Sequence, residues 1–498
     1  MNGSAAKAAG RAMVVMERAA PWLLLALAGV LRLPRLGLRP LHHDEGTNVI
    51  FLLRLLREGA YDYDPSNYHG PLLCLLSAVP MLLFGASTEM LRAAPAVLGT
   101  LMAALPWCLR REIGRFGAVA AGVLLATSPS LVYYSRDNIH EIYLVFLTLL
   151  LVAGVVRGLA SAQTGWAILA GAAAGGLLAT KETAWLTLAA LGAGLIGSRR
   201  GGLPAPRRAA LAAFALTAGA LAIALYSDFL TEPGGWRRPI EALLLWGRKG
   251  LHGDGHLKPW WYFPAILARD EPAILLTALA GAVMALRRRD RFAVFLAAWG
   301  GTIMVLYSCI PYKTPWLVLN LVLPLALLGG RAFGEVADRA RPMGAAVAGR
   351  RRRAAAGILL AAAAVVSARR AFDLAFVRYD DDRASALVYV QTRRDALRMV
   401  ARIEDYARRH PLGRSLPIQI LSPDYLPLNW YLRDFTDVGY FGSASEDPGG
   451  PAVIARADSA DRVASVLGEG YARETYALRP GVDLCLFLQR IDPPAAGP

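Results

Sequence analysis

The sequence predicts a multi-pass α-helical membrane protein that ends in a small α/β domain. Three observations carry this expectation. Of 498 residues, 55% are hydrophobic and only 18% are charged, and the mean hydropathy of +0.38 exceeds that of a typical soluble enzyme. Apolar runs matching the roughly 20 residues of a bilayer crossing recur through the first three quarters of the chain. After about residue 371 they stop. The runs are rich in Leu and Ala rather than alternating, which argues against a membrane β-barrel.

Taken in order, the first apolar run follows Lys7, Arg11 and Arg18 and is closed by Arg32 and Arg35. No clean small-residue cleavage site follows, so the run reads as a retained signal anchor. Spanning helices are expected at 19–36, 89–110, 115–133, 139–157, 162–179, 183–198, 209–227, 271–287, 291–309, 315–333 and 354–370, eleven in all. Segment 71–86 is short and reads as half-buried or re-entrant. Residues 259–269, which open on Pro-Trp-Trp-Tyr-Phe, read as interfacial.

Basic residues set the expected orientation. Arg110, Arg111 and Arg115, then Arg199, Arg200, Arg207 and Arg208, then Arg287 to Arg289 and Arg291, and last Arg339, Arg341 and Arg350 to Arg353 fall on one side of this arrangement. The positive-inside rule makes that side cytoplasmic. The N-terminus is then cytoplasmic, in a cell (inner) membrane. Segments 37–70, 134–138, 228–258 and 310–314 and the C-terminal domain lie outside. The formal charge of +16 is thereby explained by topology, and a nucleic-acid partner is not expected.

Residues 1–370 are expected to form the transmembrane domain and 371–498 a soluble extracytoplasmic one. In the latter, short apolar runs at 417–421, 452–457 and 483–489 predict strands, and 396–408 and 458–467 predict helices. No GxGxxG pattern or P-loop occurs, which argues against an ATP-driven transporter. Cys74, Cys108, Cys309 and Cys485 show no metal or redox spacing, so a disulfide framework is not expected.

The polar residues between the apolar runs are the informative ones, because charge beside hydrocarbon is costly without a partner or a task. His42-His43-Asp44-Glu45 opens the first external loop, before an amphipathic segment at 47–58. A carboxylate at a helix start is kept ionised by the exposed N–H groups, ready to take a proton or hold a metal ion. Asp44 or Thr47 acting only as a helix cap is the plainer alternative. The loop continues with Asp62, Asp64 before Pro65, which favours a turn, and Tyr68-His69-Gly70-Pro71. His69 could meet phosphate or a metal, or simply pack.

Tyr134-Ser135-Arg136 through His140-Glu141 forms a second polar knot, in which Arg136 offers a fork for phosphate or locks two helices against a carboxylate. Lys181-Glu182 reads as a phosphate-binding lysine with its partner, or as a snorkelling pair. His252 to His256, with Lys258-Pro259-Trp260, is as well explained by a flexible turn as by a metal site. Pro311-Tyr312-Lys313-Thr314-Pro315-Trp316 places a lysine between aromatics, a rigid platform for an anionic, partly apolar ligand.

These motifs resemble the polyprenyl-phosphate-dependent membrane glycosyltransferases of the C-type fold, a superfamily that includes the protein O-mannosyltransferases and the aminoarabinose transferases of lipid A. The likeness rests on Asp44-Glu45 after the first helix, the amphipathic helix that follows, and Tyr-His-Gly-Pro-Leu at 68–72. Tyr-Ser-Arg…Glu at 134–141, Thr-Lys-Glu at 180–182, His…Lys-Pro-Trp at 256–260 and Pro-Tyr-Lys-Thr-Pro-Trp at 311–316 are closer still to the flippase-activity-associated proteins of archaeal N-glycosylation. The resemblance covers about residues 30–335 and implies Asp44 as the catalytic carboxylate, Glu45 as its support and Arg136 at the donor phosphate. Where the mannosyltransferases have His-Pro-Pro, this chain has His69-Gly70-Pro71.

The physical reading adds Lys181 and Lys313 as phosphate contacts, and His43, Asp64, His69, Glu141, Glu182, His256, Lys258 and Tyr312 as further candidates. The expected activity is transfer of a sugar from a polyprenyl-phosphate donor to an unidentified glycan, lipid or protein acceptor outside the cytoplasm, with inversion. A divalent metal ion could assist, though no ligand set names one. The rival expectation is a non-enzymatic flippase or accessory subunit for a lipid-linked glycan.

Overall fold

The computed structural model describes residues 3–61, 63–67, 69–161, 163–199, 204–252, 256–338, 346–442 and 448–490. Asp62, Tyr68, Asp254 and the two glycines beside it lie outside the described residues. The chain divides into two compact units, a helical one of Met1–Leu36 with Arg54–Val377 and a smaller one of Gly37–Leu53 with Arg378–Pro498.

The helical unit begins with α1 (Gly3–Arg32) and, after the helix α2 (His43–Glu58) that leads back into it, continues through α3 (Leu72–Phe84), α4 (Thr88–Met102), α5 (Arg115–Thr127), α6 (Pro129–Tyr134), α7 (His140–Ser161), α8 (Thr164–Leu178), α9 (Ala184–Gly197) and α10 (Arg208–Tyr226). It goes on with α11 (Arg238–His252), α12 (Tyr262–Asp270), α13 (Pro272–Arg288), α14 (Arg291–Cys309), α15 (Leu319–Asp338) and α16 (Ala346–Phe372). Helix stands at each of the eleven expected spans. By length and composition, six stretches among the described residues can cross a membrane: Thr88–Leu109, His140–Ser161, Arg208–Tyr226, Arg291–Cys309, Pro315–Ala337 and Val347–Val377.

The differences from expectation are local and have causes. The 115–133 segment breaks where Pro129 removes a backbone donor, and Ser128 caps the new helix by accepting from Leu131 N. The 89–110 segment tightens to a 3-10 turn over Leu105–Leu109, which contains Pro106. The segment 228–258 contains α11, whose apolar residues fall on one face between charges.

The smaller unit is built on a five-stranded sheet in the order β2-β1-β3-β5-β4. Its strands are β1 (Ile418–Leu421), β2 (Val438–Tyr440), β3 (Ala452–Arg456), β4 (Tyr471–Arg479) and β5 (Val482–Gln489). β1 pairs in parallel with β2 and β3, whereas β5 lies antiparallel to β3 and β4. Helix α17 (Arg394–Arg409) buries Met399, Ile403 and Tyr406 against Ile418, Ile454 and Leu486. A short α18 (Leu428–Tyr431) follows β1, and α19 (Ala460–Leu467) packs Val463 against Val453 and Phe487.

Candidate active site

In the helical unit, motifs far apart in sequence converge on the N-terminal end of α9. Gly70 N donates to Thr180 O at 3.1 Å and Leu72 N to Ala179 O at 3.1 Å. A Cβ on residue 70 would lie 2.1 Å from Ala179 O, so only glycine lets these two segments meet. His69 Nδ1 then reaches Glu182 Oε2 at 2.9 Å, and its ring lies 4.4 Å from that of His140. Lys181 Nζ donates to Glu141 Oε1 at 2.6 Å, with side chains only 8% and 2% exposed.

The 256–260 and 311–316 motifs clasp each other in the same way. Lys258 N donates to Pro311 O at 3.2 Å and Lys313 N to His256 O at 3.0 Å, while the His256 and Tyr312 rings sit 4.9 Å apart. Lys313 is buried, and its Nζ donates to Ile310 O at 2.5 Å and Lys258 O at 3.2 Å. Burial shifts its ammonium below the ordinary lysine range.

Two clefts open here. One, of about 30 Å³, is lined by Lys181, Glu182, Thr183, Tyr307, Tyr312 and Thr314 together with Trp246. The second, of about 200 Å³, shares Glu182 and is walled by Tyr63, Leu178, Trp185, Tyr226 and Trp236. The buried hydroxyls of Thr183 and Tyr307, both lining the first cleft, lie close to each other, and neither has another hydrogen-bond partner among the described residues.

Within the helical unit, two expected residues are not gathered into this cluster. Arg136 is 3% exposed, donates to the carbonyls of Arg32, Pro34 and Arg35 at 2.7–2.8 Å, and stacks 4.2 Å over Phe376. In this structure its fork closes the C-terminal end of α1. Asp64 accepts from Ser66 N at 2.8 Å and forms the turn that its proline neighbour suggested.

Asp44 and Glu45 belong to the smaller unit, where each has a different setting. Glu45 is fully buried and its Oε2 accepts from His42 N at 2.8 Å, which closes the start of α2 as in a capping box. Asp44 is 41% exposed, and its carboxylate stands 3.9 Å from His42 Nδ1 with no closer partner among the described residues. His42 uses both ring nitrogens, one toward Asp44 N at 3.0 Å and one toward Tyr389 O at 2.8 Å. His43 Nδ1 accepts from Arg479 at 3.2 Å, which leaves the ring proton on Nε2. Burial, aided by Arg479, holds the His43 imidazole down at about 4. Gly46 completes the docking: a Cβ there would lie 2.9 Å from Pro427 Cα.

Sequence reasoning missed Tyr307 and Thr183, because hydroxyls inside apolar runs carry no local signal. It also missed Glu271, whose buried Oε1 accepts from Ser128 Oγ at 2.6 Å, Ser130 Oγ at 2.6 Å and Ser130 N at 2.8 Å, tying down the start of α6. Among the described residues no cluster of three or more His, Cys, Asp and Glu could hold a metal ion.

Comparison with known proteins agrees with this picture. Residues 68–227 match the family model of dolichyl-phosphate-mannose-protein mannosyltransferases. The structure is similar to that of ArnT from Cupriavidus metallidurans bound to undecaprenyl phosphate, with a TM-score of 0.62 at 17% identity over 93% of this chain and 97% of that one. The apo state of the same protein gives 0.64 at 16% identity over 96% and 98%. No curated protein matches the chain. The likeness to the archaeal flippase-associated group stays an expectation. The family model matches residues 68–227 of the 498, and the structural likeness shows a shared fold of many apolar helices with a small C-terminal sheet domain.

Proposed function

We propose that the chain transfers a sugar from a polyprenyl-phosphate-linked donor to an acceptor on the extracytoplasmic side of the membrane, with inversion at the sugar. The observation that carries this reading is the pair of clefts sharing Glu182. One brings Lys181, Glu182 and the buried hydroxyls of Thr183 and Tyr307 together among apolar side chains; the other is walled largely by aromatic and aliphatic ones. A lipid-phosphate sugar is amphiphilic in the same way. Its head would satisfy Tyr307, Thr183 and Lys181, and the first isoprene units would lie against Trp185, Tyr226 and Trp236.

In this reading Asp44 takes the proton of the acceptor hydroxyl, whose oxygen attacks the anomeric carbon. The bond from that carbon to the phosphate oxygen breaks, and polyprenyl phosphate leaves with the electron pair. A single displacement inverts the centre. Glu45 fixes the helix start that carries Asp44 and keeps N–H groups aimed at its carboxylate. Lys181 meets the phosphate by sharing its ammonium between Glu141 and the ligand, while Lys313 and Lys258 keep the Tyr312 loop rigid. Arg136 contributes to the phosphate only by exchanging α1 carbonyls for it.

The arginine-rich turns favour a cytoplasmic N-terminus, with the catalytic loops and the C-terminal domain on the other side. Binding of a labelled polyprenyl-phosphate hexose tests the reading. Tyr307→Phe and Trp236→Ala are each expected to weaken binding at least several-fold in protein that still unfolds cooperatively. Unchanged binding in both variants would overturn the placement of the donor.

A further inference from the structure

A large cavity of the helical unit serves none of the chemistry above. It has a volume of about 770 Å³, within the range of ligand pockets, and lies among α7, α8, α9 and α10. Its walls are the C-terminal ends of α7 (154–159) and α9 (192–196) and the N-terminal ends of α8 (167–170) and α10 (210–214). Lys181 and Glu182 precede the other end of α9, which has 14 residues, so the cavity and the polar clefts are about 20 Å apart.

All of its lining side chains are apolar except Arg199. Gly154, Gly158 and Gly192 leave room between the helices, and Ile196 and Leu211 remain 82% and 51% exposed. Arg207 and Arg208, both exposed, stand beside Pro206 and Ala210 of the rim. None of the three arginines has a carboxylate partner among the described residues, and the first turns of α8 and α10 contain no acid. The N-terminal ends of α8 and α10 are balanced by the C-terminal ends of α7 and α9, so the three arginines, without carboxylate partners among the described residues, give this end of the apolar cavity its positive potential.

We propose that this cavity binds an anionic glycerophospholipid of the surrounding membrane, with its acyl chains among α7–α10 and its phosphate on Arg199 and Arg207. The apolar walls account for the chains, and the uncompensated arginines account for a preference over zwitterionic headgroups. The site is independent of the donor clefts, so its test needs no substrate.

The test is a titration of the purified full-length protein in detergent with fluorescent phosphatidylglycerol and, separately, phosphatidylcholine. Phosphatidylglycerol is expected to bind at least five-fold more tightly. Arg199→Gln with Arg207→Gln should erase the preference. Gly192→Phe, at a position with no atom within 4 Å of an added Cβ, should fill the cavity and weaken both lipids. Equal binding of the two lipids, a preference that survives the paired arginine substitutions, or binding of both lipids unchanged by Gly192→Phe, would overturn the proposal. Displacement of phosphatidylglycerol by sub-stoichiometric polyprenyl phosphate would overturn it too, by assigning the cavity to the donor tail.

Discussion

The charge pairs around the candidate site of the helical unit and those on the surface of the smaller unit differ in burial. Around the candidate site of the helical unit, buried ionic groups are paired: Lys181 with Glu141, Glu182 with His69, Arg92 3.8 Å from Asp137. In the smaller unit, beside tighter pairs such as Arg479–Asp424, several arginines and acids form loose surface pairs such as Arg398–Asp395 at 3.3 Å, with side chains 74% and 30% exposed. A buried charge stripped of its partner leaves a desolvated ion, whereas an exposed one is rehydrated at once. The buried pairs therefore define the site's geometry, and the surface pairs tune solubility.

The largest effect should come from breaking a buried pair. Lys181→Met leaves Glu141 uncompensated and is expected to cost about 3–5 kcal/mol in stability. The double variant with Glu141→Leu should be less damaged than the single, as thermal unfolding in detergent would read out. A single variant with unaltered unfolding would remove the contrast between buried and surface pairs. Glu45→Gln should cost less, about 1 kcal/mol, because it weakens one cap without emptying a charge pair. Arg398→Ala is the smallest, about 0.5 kcal/mol or less.

A pH titration sharpens the comparison. The His43 imidazole is held at about 4, chiefly by burial, against 6.5 in an unfolded chain. The unfolded state therefore binds the proton first, so this contribution to stability is whole above about 6.5 and is lost as pH falls toward 4. Asp380 acts lower down. Burial alone would raise its carboxyl, but the Arg394 hydrogen bonds outweigh that and hold it below the ordinary range. Its contribution is lost only as pH falls through the acid range. His43→Asn should flatten the upper step and leave the lower; a profile unchanged by it would sink the assignment.

Much of this was legible beforehand, and the gaps have physical reasons. Helices such as α7 and α10 announce themselves because a bilayer span is a one-dimensional apolar signal. β4 did not, since Arg473 and Glu474 interrupt its apolar residues and are satisfied by partners in space, Asp461 and Arg402. Lys181 and Glu182 looked like one pair in sequence. Adjacent residues at a helix entry point apart, and each found a partner from another segment. The grouping of 37–53 with the C-terminal residues, and the tie from Glu271 to Ser128, join positions separated by far more chain than any local pattern spans.

Asp44 and Glu45 carry the same contrast inside two residues: one exposed and without a close partner, one buried and capping. The most direct measurement is sugar transfer from a labelled polyprenyl-phosphate hexose by the purified protein in lipid, alongside donor binding, for Asp44→Asn and Glu45→Gln. Asp44→Asn is expected to lose transfer by about 10²-fold or more while donor binding and unfolding stay unchanged. Transfer undiminished by Asp44→Asn, or donor binding without any turnover by the unaltered protein, would contradict the account and favour a lipid carrier.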